Sequence, residues 1–187
     1  METTTEALAD RWYAALFSVR CSIRYHQRRR SFFDRLDKIS NMLSLIFGSV
    51  AVYGTLQENS KEIALIASGL VTVFASINLV LSSASRARDH TDFMRKYVEL
   101  EKLMLGAESE ERLLDVAGRR LSIEAEEPPV LHVLNAICHN ETMRAMGFTK
   151  EELPKIGPIQ TLVAQFFDFC ESDIQNPKAN NTSPTAP

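Results

Sequence analysis

The sequence lacks charged residues over two long stretches. Residues 39–56 and 63–81 contain no Asp, Glu, Lys, Arg or His. As a helix each stretch would span roughly 27 to 29 Å, which is close to the hydrocarbon thickness of a bilayer. A helix in a soluble core rarely stays uncharged for so long, because its solvent side needs polar residues. We therefore predict a transmembrane helical hairpin; the alternative is a buried hairpin in a soluble bundle.

The motifs of common catalytic and cofactor sites are also missing. The chain has seven glycines that do not cluster, and it contains no phosphate-binding loop, dinucleotide fingerprint or Gly-x-Ser-x-Gly. It has no HExxH or CxxC spacing. His132 and His139 share a helical side near Cys138, but nothing around them is typical of a metal or nucleophile site. We expect neither catalysis nor a metal or other cofactor.

Cysteine is scarce and strand patterns do not rise above background. Cys21, Cys138 and Cys170 form no metal-binding pattern, and we expect them to be reduced structural thiols on the cytoplasmic side.

The first 38 residues are amphipathic and lack the apolar region of a signal peptide. We predict an all-α membrane protein in which a two-helix transmembrane hairpin extends into cytoplasmic helices.

Basic residues flank the two apolar stretches and predict their orientation. Lys and Arg beside membrane spans stay in the cytoplasm, so both termini should be cytoplasmic. Residues 1–38 carry eight Lys and Arg against five Asp and Glu, whereas residues 106–187 carry seven against thirteen. The basic part therefore lies where anionic lipid would attract it, and we expect no nucleic-acid contact. The predicted basic anchors are Arg28, Arg29, Arg30, Arg35, Lys38, Arg86 and Arg88.

Periodicity and breakers predict the order of the segments. No Pro or Gly interrupts residues 6–47, which favours one continuous helix, although Ser31 could begin a new one. In the C-terminal part we predict short helices over 108–123, 130–146, 149–153 and 158–170. The predicted order is a cytoplasmic amphipathic helix (1–38), transmembrane helix 1 (39–56), an external turn (57–62), transmembrane helix 2 (63–82), a cytoplasmic return helix (83–105) that packs on residues 6–36, an acidic helical region (106–172) and a disordered tail (173–187).

Each predicted span has one side of small or hydroxyl-bearing residues. Such sides let helices approach closely in lipid. They could pack on each other within one hairpin, join several copies, or line a pore, and the sequence leaves these alternatives open. At about 100° per residue this candidate pore or packing face contains Ser44, Gly48, Ala51, Thr55, Ser68, Thr72, Ser76 and Asn78. The opposite, lipid-facing sides contain Ile39, Met42, Ile46, Val50, Tyr53, Ile66, Leu70, Val73, Phe74 and Ile77.

Several residues outside the spans carry a family resemblance. Trp12-Tyr13, Tyr25-His26 and an arginine run precede the hairpin, and a helix with His90 and Tyr97 follows it. Over residues 8–170 this layout resembles the SLATT domain, a family of bacterial two-transmembrane effectors associated with SMODS nucleotidyltransferases and SLOG proteins.

The resemblance implies a pore-forming effector of antiviral defence that acts by abortive infection. Such a protein would form a homo-oligomer and permeabilise the inner membrane when a sensor or nucleotide-signalling partner triggers it. We expect residues 108–170 to receive the trigger, and the family offers no catalytic residues. The alternative is a membrane-anchored binding or scaffold module without a pore.

Overall fold

A computed structural model describes residues 2–57, 60–149, 153–169 and 171–174. The regular structure in these ranges is helical, which confirms the predicted all-α fold. Two helices are long and apolar enough to cross a membrane. Some predicted features lie outside the described residues: the middle of the external turn, most of the short helix over 149–153, Cys170 and the tail after residue 174.

Helix α1 runs without interruption from Glu2 to Leu56. The segment contains no proline, and its first glycine is Gly48. Nothing before that point removes a backbone hydrogen bond or loosens the helix. Of the two alternatives for Ser31, the structure therefore shows the continuous helix rather than a new start.

A single residue separates the second apolar helix from the helix after it. Helix α2 covers Lys61–Leu81 and α3 covers Ser83–Leu103. Between them Ser82 has a left-handed φ of 47°, and its N–H donates to the carbonyl of Asn78 at 2.9 Å. A left-handed residue other than glycine costs about 1 to 2 kcal/mol. The second apolar helix and the helix after it are thus separated at Ser82.

Three shorter helices follow in the C-terminal part. Ser109 begins α4, and its Oγ accepts from the N–H of Arg112 at 3.3 Å. The helix predicted over 158–170 already ends at Val163. After it the N–H of Phe166 donates to the Val163 carbonyl at 2.8 Å, which forms a turn. The bounds are Glu110–Glu124 for α4, His132–Ala145 for α5, Pro158–Val163 for α6 and Glu171–Asp173 for a final 3-10 turn.

The chain divides into two compact units, and the first comprises residues 1–25 and 94–187. Within it Arg20 of α1 pairs with Glu101 of α3 at 2.7 Å, and the hydroxyl of Tyr25 accepts from the N–H of Leu131 at 3.0 Å. Cys21 and Cys138 are buried free thiols. One hydrophobic cluster of its core contains Cys21, Tyr25, Val133, Leu134, Ile137, Cys138 and Ala164.

Asp168 caps helix α5 from a distant part of the chain. Its two carboxylate oxygens accept from the N–H groups of His132 and Val133, both at 2.9 Å. The first N–H groups of a helix have no partner within the helix, so a carboxylate at this end satisfies them and also faces the positive end of the helix dipole.

We expect the substitution Asp168→Ala to lower the free energy of unfolding of the first unit by about 1 to 2 kcal/mol, because two N–H groups lose their acceptor. The matched control is Asp115→Ala, since Asp115 is exposed and pairs only with Arg119 one turn away; its effect should stay within about 0.5 kcal/mol. Thermal unfolding of the full chain in mild detergent measures both. Equal effects of the two substitutions would contradict the capping role.

Candidate functional site

The second unit, residues 26–93, carries a belt of exposed apolar side chains. In each of the two long helices only 11% of the most apolar 18-residue stretch is buried, whereas the core helix of a soluble protein would be mostly buried. A contiguous apolar surface of this kind indicates contact with lipid or with another protein. The belt contains Ile39, Met42, Leu45, Ile46, Val50, Val52, Tyr53, Leu56, Ile63, Leu65, Ile66, Leu70, Val73, Ile77, Leu79 and Val80.

The belt includes nearly all the residues predicted to face lipid, and the exception is Phe74. This side chain is half-buried and stacks on Phe47, with ring centroids 5.9 Å apart and an interplanar angle of 1°. The side of α2 that packs contains Ala67, Phe74 and Leu81 at intervals of seven residues, so it includes large side chains as well as small ones. A prediction that assigns only small residues to the packing side therefore places Phe74 on the wrong side.

Helices α1 and α2 lie close together at Gly54. A Cβ atom added at Gly54 would lie 2.9 Å from the Cβ of Ala64 and 3.0 Å from the carbonyl oxygen of Ser60. Gly54, Ala64 and Ala67 are all buried. Small residues at a helix contact let the backbones come together and gain van der Waals packing, which is the main attraction between helices in lipid. We call this contact, together with Ser40 on α1, the hairpin seam.

The predicted small-residue face is divided by the fold. Asn78 is half-buried beside the seam, whereas the hydroxyl-bearing residues of α2 point away from it. The Oγ of Ser68 donates to the Ala64 carbonyl at 2.8 Å, and the Oγ1 of Thr72 donates to the Ser68 carbonyl at 3.0 Å. Ser44, Gly48 and Ala51 are half-buried, and Thr55, Ser68, Thr72 and Ser76 are exposed.

Open space remains beside Gly48 on α1. A Cβ atom added there would meet nothing within 4 Å among the described residues. A groove of about 590 Å³ follows this side of the helix, and every residue that lines it belongs to α1. Its lining is Ser44, Leu45, Gly48, Ser49, Val52, Tyr53 and Leu56. Single hairpins therefore leave part of the small-residue face of α1 without a packing partner.

Two of the predicted basic anchors lie on an aromatic ring. The guanidinium of Arg29 is 4.6 Å from the ring centroid of Phe33, and that of Arg86 is 5.7 Å from the same ring. Phe33 is buried, so these are cation–π contacts. Lys38 pairs with Asp34 at 2.7 Å. Among the other anchors Arg28 is half-buried, and Arg30, Arg35 and Arg88 are exposed.

His26 and His90 form a buried imidazole pair that the sequence did not reveal. Their Nδ1 atoms are 3.0 Å apart, and the side chains are 1% and 4% exposed. A hydrogen bond between two ring nitrogens needs one N–H and one free lone pair, so at least one ring is neutral. Burial, the neighbouring His26 and the guanidinium groups of Arg29 and Arg86 lower the pKa of His90 to about 3.

The other two histidines do not form the pair considered from the sequence. His139 packs its ring against Phe17 with a centroid distance of 4.9 Å, and burial lowers its pKa. His132 instead lies with Asp168 and Glu171, and their potential ligand atoms are within 4.8 Å of one another. Both oxygens of Asp168 already accept backbone N–H groups, so its position follows from capping rather than from metal chemistry.

Comparisons with models of known families, with curated proteins and with solved structures give no match for this chain.

We expect Gly54→Ala to destabilise the hairpin, because the added methyl group collides with Ala64 and with the backbone at Ser60. The control is Gly48→Ala, which introduces the same methyl group into open space and should leave stability unchanged or raise it, since Ala favours helix over Gly. Unfolding of the full chain by titration with SDS measures the difference. A stability loss for Gly48→Ala as large as that for Gly54→Ala would contradict the seam.

We expect the stability of the second unit to fall as the pH falls from 7.5 to 5. The pKa of His90 in the folded chain lies below the ordinary value of about 6.5, so the unfolded chain takes up a proton first. The resulting stabilisation of the folded chain is complete above a pH of about 6.5 and is lost progressively as the pH falls towards 3. The loss of stability by pH 5 is on the order of 1 to 2 kcal/mol.

Thermal unfolding across this pH range tests the expectation. The substitution His90→Phe should reduce the pH dependence, whereas His132→Gln should leave it as in the wild type, because His132 is exposed. If stability depends on pH as steeply in His90→Phe as in the wild type, the pH dependence does not come from His90.

Proposed function

We propose that this chain is a membrane effector of a bacterial antiphage system. It inserts into the inner membrane as a hairpin with both termini in the cytoplasm, forms a homo-oligomer, and permeabilises the membrane when a sensor protein or nucleotide signal triggers it. The apolar belt on α1 and α2 supports insertion. The concentration of basic residues at one end of the hairpin, against the single Lys61 at the turn, supports the orientation.

The observation that carries the proposal is the small-residue surface left outside the hairpin seam. Gly48 faces open space on α1, and Ser68, Thr72 and Ser76 are exposed on α2. An anchor that only tethers a domain needs no such surface, because large apolar side chains satisfy lipid. Small and hydroxyl-bearing residues are what helices in membranes use to approach and hydrogen-bond to further helices.

A lumen made from these surfaces would be lined by hydroxyl groups without charged side chains. No Asp, Glu, Lys, Arg or His occurs between residues 39 and 56 or between 63 and 81. A proton relay or a pump would need ionisable groups within the spans. The mechanism is therefore a change in helix packing that assembles or opens a passage, and the trigger acts on the acidic C-terminal region.

A membrane-anchored binding module is the second candidate. The first unit has its own buried core and many exposed acidic groups, which suits a domain that binds a partner. Replacing residues 39–82 by an unrelated hairpin of equal length separates the two functions. A binding module keeps its function after the exchange, whereas a pore-forming effector loses it.

We expect induced expression, together with the genes adjacent to its own, to depolarise bacterial cells. The substitution Ser76→Leu should reduce depolarisation and toxicity, because a large side chain on the exposed small face prevents close helix contact. A membrane-potential dye and growth after induction report the two effects, and membrane fractionation shows that the variant still inserts.

The control is Val73→Leu, which enlarges a residue of the apolar belt by one methylene group. It should leave depolarisation as in the wild type. An unaltered membrane potential in triggered cells, or full activity of Ser76→Leu, would count against the proposed pore.

A further inference from the structure

An open cavity lies where α1 passes the junction of α2 and α3. Its volume is about 480 Å³, and all the residues that line it belong to the second unit. Seven of its ten lining residues carry a side-chain oxygen, and one of them, Asp37, carries a formal charge. The lining consists of Asp37, Asn41, Ser44, Ala75, Asn78, Leu79, Ser82, Ser83, Ala84 and Ser85. We call it the corner cavity.

Hydrogen bonds fix the orientation of the Asn78 amide in this cavity. Its Nδ2 donates to Asp37 Oδ1 at 3.2 Å and to Asn41 Oδ1 at 3.4 Å, and Asn41 Nδ2 donates to Asp37 Oδ2 at 3.2 Å. An ionised carboxylate only accepts, so the amide nitrogen of Asn78 must face Asp37. The Oδ1 of Asn78 therefore points away from Asp37. It is buried and has no hydrogen-bond partner among the described residues.

The Oγ of Ser83 is a second buried oxygen of this kind. Its side chain lines the cavity, is 1% exposed, and its Oγ meets no hydrogen-bond partner in the described part of the chain. An unsatisfied buried polar group costs about 1 to 3 kcal/mol, and native structures contain few of them. Both oxygens belong to residues that line the same cavity, and a species that oxygen atoms coordinate would satisfy them.

We propose that the corner cavity binds a monovalent alkali cation, Na⁺ or K⁺. Carboxylate, amide and hydroxyl oxygens are the ligands that hard cations prefer, and the lining offers no sulfur or imidazole. No Lys or Arg is among the lining residues. The single charge of Asp37 balances a monovalent ion, whereas protein sites for Ca²⁺ commonly combine several carboxylates.

The helix ends at the cavity do not decide the sign of the ion. The carboxyl end of α2 contributes partial negative charge. The amino end of α3, which is separated from α2 only by Ser82, contributes partial positive charge and opposes it. The formal charge of Asp37 therefore sets the preference for a cation. This inference concerns a single hairpin and does not depend on the proposed pore.

Thermal unfolding of the full chain in a neutral detergent tests the site. Na⁺ or K⁺ replaces choline at constant ionic strength, so that general screening stays the same. We expect a saturable rise in the unfolding temperature, because a ligand that binds only the folded state stabilises it. The substitutions Asp37→Asn and Ser83→Ala should each raise the cation concentration at half-saturation by at least about tenfold.

The matched control is Asp34→Asn, which removes an exposed carboxylate one turn away that pairs with Lys38 and does not line the cavity. It should keep the wild-type cation dependence. If Asp37→Asn does not fold, line broadening of ²³Na in NMR, compared between wild type and Ser83→Ala, gives a direct measurement. Absence of a cation-specific shift in the wild type, an equal shift in Asp37→Asn, or a larger shift with Ca²⁺ than with Na⁺ and K⁺ would overturn the proposal.

Discussion

The close approach of α1 and α2 at Gly54 and Ala64 is the constraint on which the second unit depends. Between two uncharged helices in lipid there is no hydrophobic force to hold them together, so close packing has to supply the attraction. Small residues at the seam allow this contact. The large side chains are displaced to the outside, where they form the apolar belt. The same arrangement that closes the hairpin thus also leaves its large apolar side chains on the outer surface.

The buried polar groups of this unit concentrate at one end of the hairpin. The buried His26, His90 and Ser83 and the partly exposed Asp37–Asn41–Asn78 network all lie outside the uncharged middle or at its edge. A polar network helps to specify register, because a shift by one residue would leave several groups unsatisfied. The lowered pKa of His90 makes this end sensitive to protons, and the proposed cation site would make it sensitive to ions. In the proposed effector, changes in packing here would alter how the outer small-residue surfaces meet other copies.

Hydrophobicity alone predicts the helices better than it predicts their contacts. In α1 and α3 buried positions recur at intervals of seven, as in a coiled coil, but several of them hold polar or small residues. A search for apolar stripes therefore finds Trp12 and Val19 and passes over His26 and Ser40. The buried positions at this spacing are Trp12, Val19, His26, Phe33, Ser40 and Gly54 on α1 and Ser83, His90 and Tyr97 on α3, with Met104 directly after the end of α3.

The sequence by itself determined the all-α fold, the two apolar helices and most of the side that faces away from the seam. These properties follow from composition and local periodicity, which each segment carries on its own. Only the tertiary structure decided that Phe74 stacks on Phe47, that α2 ends at a left-handed Ser82, that Asp168 caps α5, and that Asn78 meets Asp37. Three of these join residues far apart in the chain, which no local pattern contains, and the fourth is a backbone conformation that residues other than glycine rarely adopt.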